Sequence, residues 1–218
     1  MELTELHEKL KSHLKEQEEN WPSFRYSEEE GGFYQGFDRV GIKGARPTEE
    51  RFRRYNIGKY LSRDKTALDI GSNNGFLTLL LSDYLKHIEG VEINPYLVMI
   101  SDETKKFLGI KNANFHACSF EDYIVIGRKD IVFSLANDST IDENTKFNFI
   151  EYIDKIISIL KPKGLLIFES QAEDSEEEIF QPKLEHLKKH FDILVHKRVP
   201  SNYPYNVKER IFLILKKN

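Results

Sequence analysis

The sequence predicts an α/β fold, a mostly parallel sheet with helices on both faces, preceded by an N-terminal helical extension. Three observations carry this prediction. Short apolar runs alternate with longer segments of helical spacing across residues 66–216. One run, Ala67-Leu68-Asp69-Ile70, closes in a glycine-bracketed turn, Gly71-Ser72-Asn73-Asn74-Gly75, that opens a helix. The last two runs, at 191–195 and 211–215, have only a short connection, so that pair is antiparallel. The other units, β-α repeats, imply right-handed parallel crossovers.

Composition bounds the answer. At 218 residues, 39% hydrophobic and 31% charged, the chain fits one soluble domain with an appendage. A net charge of −4 supplies no global attraction to nucleic acid or to an anionic membrane, so nucleic acid is not expected as a partner. The single cysteine, Cys118, excludes an internal disulfide. No basic start followed by an apolar region reads as a signal peptide, and no run is long enough to span a bilayer. No membrane insertion and a cytoplasmic location are therefore expected.

Taken in order, residues 2–19 place Leu3, Leu6, Leu10 and Leu14 at helical spacing. That stripe suits a helix laid on its own domain, a homodimer contact or a substrate lid. Trp21-Pro22 ends it, and Glu28-Glu29-Glu30-Gly31-Gly32 is expected to be a hinge. Phe33, Tyr34 and Phe37 then stand near four arginines, Arg46, Arg51, Arg53 and Arg54. Pro47 suits the first turn of a helix running to about Leu61, packed through Phe52, Ile57, Tyr60 and Leu61. Arg53 fits a solvated face. Arg46 precedes the helix in a glycine-containing loop, where a guanidinium can grip a carboxylate or phosphate. Residues 1–46 are taken as an N-terminal unit and 47–218 as the main domain.

Seven strands are expected near 66–71, 88–93, 113–118, 130–136, 164–169, 191–197 and 209–216. Helices should cover about 75–84, 95–108, 143–160 and 176–189, the last opened by a capping box of Ser175 and Glu178. Residues 173–178 form an acidic run, read as a solvated loop and helix start. His116, in mid-strand, reads as a satisfied core histidine. No cluster of Cys or His at metal-ligand spacing is read, so no metal is expected.

The glycine turn carries the chemistry. A dinucleotide site prefers G-x-G-x-x-G, but Asn73 takes the middle position. Asp69 would repel a pyrophosphate and suits a cationic amino group. The helix that follows offers free N–H groups to a carboxylate. Gly90-Val91-Glu92-Ile93-Asn94 supplies a second strand ending in an acid, at the spacing at which a carboxylate grips ribose hydroxyls. Amino acid plus ribose without phosphates points to S-adenosyl-L-methionine.

L-D-I-G-S-N-N-G-F, V-E-I-N, D-I-V-F-S-L-A and L-K-P-K-G-L-L-I-F-E, in this order and spacing, resemble the class I S-adenosylmethionine-dependent methyltransferases from about Arg51 onward. The resemblance implies a Rossmann-like, seven-stranded sheet with an antiparallel last strand. It assigns Asp69, Gly71, Asn73, Gly75 and Phe76 to the methionine half, Glu92 to the ribose and Ile93 to the adenine. The family often has an acid near Cys118; here Ser119 and Phe120 are expected to hold the adenine instead, with Glu121 or Asp122 as substitutes. Leu135 lines the fourth strand's end. Asn137 and Asp138 stand where the acceptor lies, and Asp138 would take a proton, orient a nucleophile or cap the next turn. The Pro-Pro-aromatic sequence that accompanies exocyclic-amine methylation is missing there. Glu169-Ser170-Gln171 and the 201–206 loop belong to the same edge.

Residues 33–51 are similar to the opening segment of the methyltransferase part of bacterial O-antigen chain-terminating enzymes, which cap a polysaccharide. That resemblance places Tyr34, Gln35 and Arg46 over the cofactor. Together the arginines and tyrosines favour a small or sugar-like acceptor, anionic or hydroxylated, a surface sugar or sugar phosphate, and so polysaccharide biosynthesis. The alternatives are an RNA acceptor, for which stacking aromatics and arginine would also serve, and a non-catalytic partner subunit. Asp69 and Asn73 disfavour a nicotinamide oxidoreductase.

Overall fold

The computed structural model describes residues 1–23, 32–139, 145–201 and 208–218. Of the expected hinge at 28–32 all but Gly32, and most of the 201–206 loop, lie outside the described residues. Nine strands and six α-helices follow in the order α1 (Leu3–Asn20), β1 (Phe33–Gly36), β2 (Gly44–Pro47), α2 (Thr48–Tyr55), β3 (Thr66–Ile70), α3 (Phe76–Leu81), β4 (His87–Glu92), α4 (Pro95–Phe107), β5 (Ala113–Ala117), β6 (Lys129–Leu135), α5 (Phe149–Ile159), β7 (Leu160–Glu169), α6 (Glu177–Lys188), β8 (Phe191–Pro200) and β9 (Glu209–Lys217) among the described residues.

The main sheet has the strand order β5-β4-β3-β6-β7-β9-β8. Its first five strands run parallel, and β9 is antiparallel to both β7 and β8, as the short final connection required. The order reverses between β3 and β6. That places the switch point, where open α/β sheets bind ligands, beside the glycine turn. Both faces are covered. Leu68, Ile70 and Val132 pack under Tyr152, Ile156 and Phe180 of α5 and α6. Ala67, Ile88 and Phe133 pack with Phe76, Leu79 and Ile100 of α3 and α4.

α1 lies on its own domain. Leu6, Leu10 and Leu14 are fully buried in the core shared with α4, and the His7 ring bonds the Val40 carbonyl at 2.6 Å. Leu3, the fourth member of the expected stripe, stays exposed. Leu3 is the first residue of the helix, and the buried seam continues at the other end in Gln17.

Several boundaries differ from expectation, each for a local reason. α2 stops at Tyr55 because Asn56 turns left-handed (φ 53°), and a separate 3-10 turn covers Gly58–Tyr60. α5 begins at Phe149, not near 143, where Asn148 and Glu151 form a capping box. The box expected at Ser175 is not formed. α6 starts one residue too late for it, with Glu176 as a cap that makes no side-chain bond. The segment 33–47, where no strand is expected and Arg46 is placed in a loop, forms a small parallel pair, β1–β2, with Gln35 opposite Arg46. A Cβ on Gly44 would fall 2.4 Å from the Gln35 carbonyl carbon, so this close pairing requires the bare Cα. Among the described residues no helix is long and apolar enough to cross a membrane.

Candidate functional site

At the carboxyl end of β3 the chain turns through three left-handed residues, Gly71 (φ 64°), Asn73 (φ 53°) and Gly75 (φ 71°). The two glycines do different things. A Cβ on Gly71 would stand 2.4 Å from Asn137 Oδ1, so the Asn137 amide, which donates to the Ile70 carbonyl, fills that space. A Cβ on Gly75 would meet Ser101 Oγ at 2.4 Å and the Phe115 ring at 2.6 Å, so Gly75 serves helix–sheet packing. Beside Asn137, Ala136 is held at φ 66°, an unfavourable value for a residue with a Cβ.

Glu92, at the end of β4, fastens this turn. One carboxylate oxygen accepts from the Asn73 N–H and the other from the Asn94 N–H, both at 2.9 Å. From the opposite side Gln35 of β1 clasps it. Its amide donates to the Ser72 carbonyl (3.1 Å), and its oxygen accepts from the Leu77 N–H (3.1 Å). The free helix N-terminus expected here is therefore partly closed. α3 has only six residues, and Gln35 already takes one of its orphan donors. Asp69 is buried and accepts from Thr78 Oγ1 at 2.5 Å. Burial pushes its carboxyl up to about 6, against the opposing pull of Thr78 and the Arg51 charge.

Next to the turn a narrow crevice, with room for about one water, lies at the carboxyl ends of β3 to β6. Val91, Ile93, Cys118, Phe120 and Tyr152 line it with Gly71 and Asn137, a mostly apolar wall. Phe120 is fixed by the edge of Tyr152 (5.2 Å) and by Lys155, whose Nζ lies 4.9 Å from its ring centre. Ser119 points away, donating to Asp122 at 2.7 Å. Glu121 accepts from Thr145 (2.7 Å) and from the Phe147 N–H (3.0 Å), so its carboxyl sits below the ordinary value despite burial. Both acids offered as substitutes near Cys118 are thus occupied locally. His116 rests on Tyr123, but its Nε2 is buried with no hydrogen-bond partner among the described residues, which corrects the satisfied-core reading.

The other half of the edge is charged. Glu169, at the end of β7, is fully buried and receives Arg46 at 2.6 Å, the Tyr55 hydroxyl and, at 3.6 Å, Arg210. Arg51 donates to the Tyr55 oxygen at 3.0 Å, and Arg46 reaches Tyr34 at 3.3 Å. Burial alone would raise Glu169; Arg46, Arg51 and Arg210 instead pull it to about 2. The half-buried Tyr34 hydroxyl is drawn below its usual value by the same arginines against burial, whereas burial lifts Tyr55 to about 12. Three guanidiniums converge on one carboxylate. Asp138 is buried; Lys183 holds its Oδ2 at 2.5 Å and also pairs with Asp174, while its Oδ1 has no partner among the described residues. Leu135 is buried at the end of β6.

The structure thus brings Asp69, Gly71, Asn73, Gly75, Glu92 and Gln35 to one turn, and Tyr34 and Arg46 to a second cluster. Arg53 is exposed, as expected. Sequence reasoning counted Arg51 among the four arginines without giving it a site role, and passed over Tyr55 and Arg210. The Arg51–Tyr55 spacing of four on a helix was the available signal; Arg210, one residue into a strand, offered none. It also passed over an H-x-x-x-H pair, His186 and His190, which lies with Asp154 in a group able to hold a metal ion, so the expectation that no such spacing exists is corrected.

Known proteins agree with this geometry. A family model described as a methyltransferase domain matches residues 61–210. Ribosomal protein L11 methyltransferases of two Clostridium perfringens strains are 34% identical over 77 residues, 35% of this chain. The match spans about a quarter (24%) of those relatives' length. Among solved structures, the N-methyltransferase NodS of Bradyrhizobium japonicum WM9, crystallised with S-adenosyl-L-homocysteine, superposes with a TM-score of 0.62 at 13% identity, over 82% of this chain and 90% of that one. The M. jannaschii tRNA m1G37 methyltransferase gives 0.54 at 17% identity, over 76% and 48%. Glycine turn, strand-end acid, reversed strand order and family match lead to one conclusion: the chain belongs to the methyltransferase-domain family and has the class I S-adenosylmethionine-dependent methyltransferase fold.

Proposed function

We propose that the chain binds S-adenosyl-L-methionine across the carboxyl ends of β3 and β4 and methylates a small or sugar-like acceptor, anionic or hydroxylated, held under β1–β2. The cofactor would supply a methyl group already activated on a sulfonium. The residues fit it. Glu92, which fastens the turn through the Asn73 and Asn94 N–H groups, stands at the end of β4, where the ribose hydroxyls would lie. Ile93 and Phe120 line the apolar crevice where the adenine would lie, and the backbone of Ser119, next to Phe120, would hold its edge. Asp69, Gly71 and Asn73 would frame the amino-acid end, while Gly75, packed on Ser101 and Phe115, and Phe76, stacked on Phe37, support the turn from the core. Tyr34, Gln35 and Arg46 close over it from the N-terminal side.

The observation that carries the acceptor reading is the basic cluster around Glu169. Buried arginines at the sheet's carboxyl edge favour an anionic ligand, and in a dry site they act at low dielectric. Asn137 shapes the turn through Gly71. Asp138, raised by burial against the pull of Lys183, is placed to orient or deprotonate a hydroxyl. Most of the rate would come from in-line positioning. The reading places the protein in sugar or polysaccharide modification. An RNA acceptor is the second reading, favoured by the likeness to a tRNA methyltransferase and opposed by the net charge of −4.

The test is calorimetric titration with S-adenosylhomocysteine, with NAD as control. Micromolar binding of the first alone is expected, weakened at least tenfold by Glu92→Ala with the melting temperature little changed. No binding by the wild type would overturn the cofactor assignment; unchanged affinity in the variant would remove Glu92 from the site. Acceptor screening then takes sugar phosphates before RNA, with Arg51→Ala as the discriminating variant.

A further inference from the structure

His186 and His190 take no part in either half of the sheet edge. They sit at the end of α6, where the Lys189 N–H bonds the His186 carbonyl (3.1 Å) and the His190 N–H bonds the Leu187 carbonyl (3.0 Å). That tight turn brings the two rings to one side, with centres 5.2 Å apart and planes at 55°. Two imidazoles bound to one tetrahedral ion through bonds of about 2.0–2.1 Å hold their ring centres about 5 Å apart. Asp154, from the neighbouring α5, faces the pair, and one ligand atom from each of the three residues lies within 4.8 Å of the others. The His186 ring is oriented by the edge of Phe149 at 6.0 Å, and its Nε2 is buried without a hydrogen-bond partner among the described residues.

We propose that Asp154, His186 and His190 form a site for a divalent transition-metal ion, zinc foremost, that staples α5 to the end of α6. Two imidazoles and one carboxylate match zinc, with water in the fourth position. They suit magnesium poorly, since it demands oxygen ligands and gives up its waters reluctantly. Ligand atoms in a tetrahedral zinc site lie about 3.4 Å apart, so closure needs movement of about an ångström, which the exposed Asp154 side chain supplies. The site would also stiffen the helix face that pins Asp138. Lys183, one turn before His186, holds that carboxylate and covers the same Phe149 ring at 5.0 Å.

The experiment is titration of tag-free, EDTA-stripped full-length protein with zinc chloride, with magnesium chloride as control and melting curves in parallel. One zinc per chain and a rise in Tm are expected, neither produced by magnesium. His190→Ala should weaken zinc binding at least tenfold and abolish the rise, while its Tm in EDTA and its S-adenosylhomocysteine affinity stay as in the wild type. Asp154→Asn, at an exposed position where folding is not at risk, should weaken zinc binding as well. The proposal is overturned if the wild type binds no zinc. It is equally overturned if both variants keep the wild-type affinity and Tm rise, which would place the ion elsewhere among the seven histidines. Neither result depends on the cofactor assignment.

Discussion

Asp69 and Glu169 sit at the carboxyl ends of strands in one sheet, 3% and 0% exposed, yet their acidities are driven in opposite directions. Burial raises both. Asp69 has one hydroxyl donor and a single arginine to oppose it, and it ends near 6. Glu169 has Arg46, Arg51 and Arg210 around it, with Tyr55 donating as well, and it ends near 2. One fold therefore holds two kinds of anion site side by side. The β3 side keeps a carboxylate that a cationic ligand group would satisfy. The β7 side has met its own carboxylate in full, with three arginines set around it.

The sharpest way to break this contrast is to remove the main partner of Glu169. Arg46→Ala leaves a buried carboxylate short of its closest cation, which costs about 3–5 kcal/mol in such settings. Arg53→Ala, on the exposed face of α2, should stay within about 0.5 kcal/mol. Urea denaturation of both variants measures the difference. Equal, small losses would reduce the cluster to surface charge.

A subtler comparison uses pH. Glu169 is depressed from 4.5 to about 2, so its stabilisation is complete above about pH 4.5 and is lost as pH falls toward 2. The loss over that window is about 3 kcal/mol. Glu169→Gln has no such titration. Its deficit relative to the wild type should therefore be largest near neutrality and shrink through the acid window. A deficit independent of pH would show that the arginines do not hold Glu169 ionised.

What the sequence revealed, and what it hid, follows the same division. The β3 turn was legible because its parts are contiguous. Asp69, Gly71, Asn73 and Gly75 lie within seven residues, and Glu92 follows at a distance fixed by one β-α-β unit. The central strands were legible because they are buried apolar runs, whereas the edge strands β5 and β8 are largely exposed or half-buried; the antiparallel end was legible because its connection is short. The β7 cluster was not, because Arg46, Arg51, Tyr55, Glu169 and Arg210 meet only through folding across more than 160 residues. Arg46 was noticed for its loop, but its partner could not be named. The β1–β2 pair was hidden too. Four-residue strands carry almost no period, and their geometry depends on Gly44. His186 and His190 were visible at four-residue spacing; only Asp154, from another helix, needed the structure.

Asp69 offers the smaller effect and the opposite sign. A carboxyl raised from 3.8 to about 6 stabilises the folded state fully below pH 3.8, and that contribution is lost as pH rises through 6. Asp69→Asn keeps a partner for Thr78 but cannot ionise. Relative to the wild type it should therefore gain about 1–3 kcal/mol between pH 4 and pH 7, read from urea midpoints at the two values. Glu169→Gln narrows its gap toward acid; Asp69→Asn should improve toward neutrality. The same variant should lose affinity for S-adenosylhomocysteine at pH 7, because the negative charge that would meet the ligand's amino group is gone. Higher stability with weaker binding is what a carboxylate kept for a ligand predicts. If the variant neither gains stability toward neutral pH nor loses affinity, Asp69 is a neutral core acid bonded to Thr78, and the contrast with Glu169 reduces to the presence or absence of arginine.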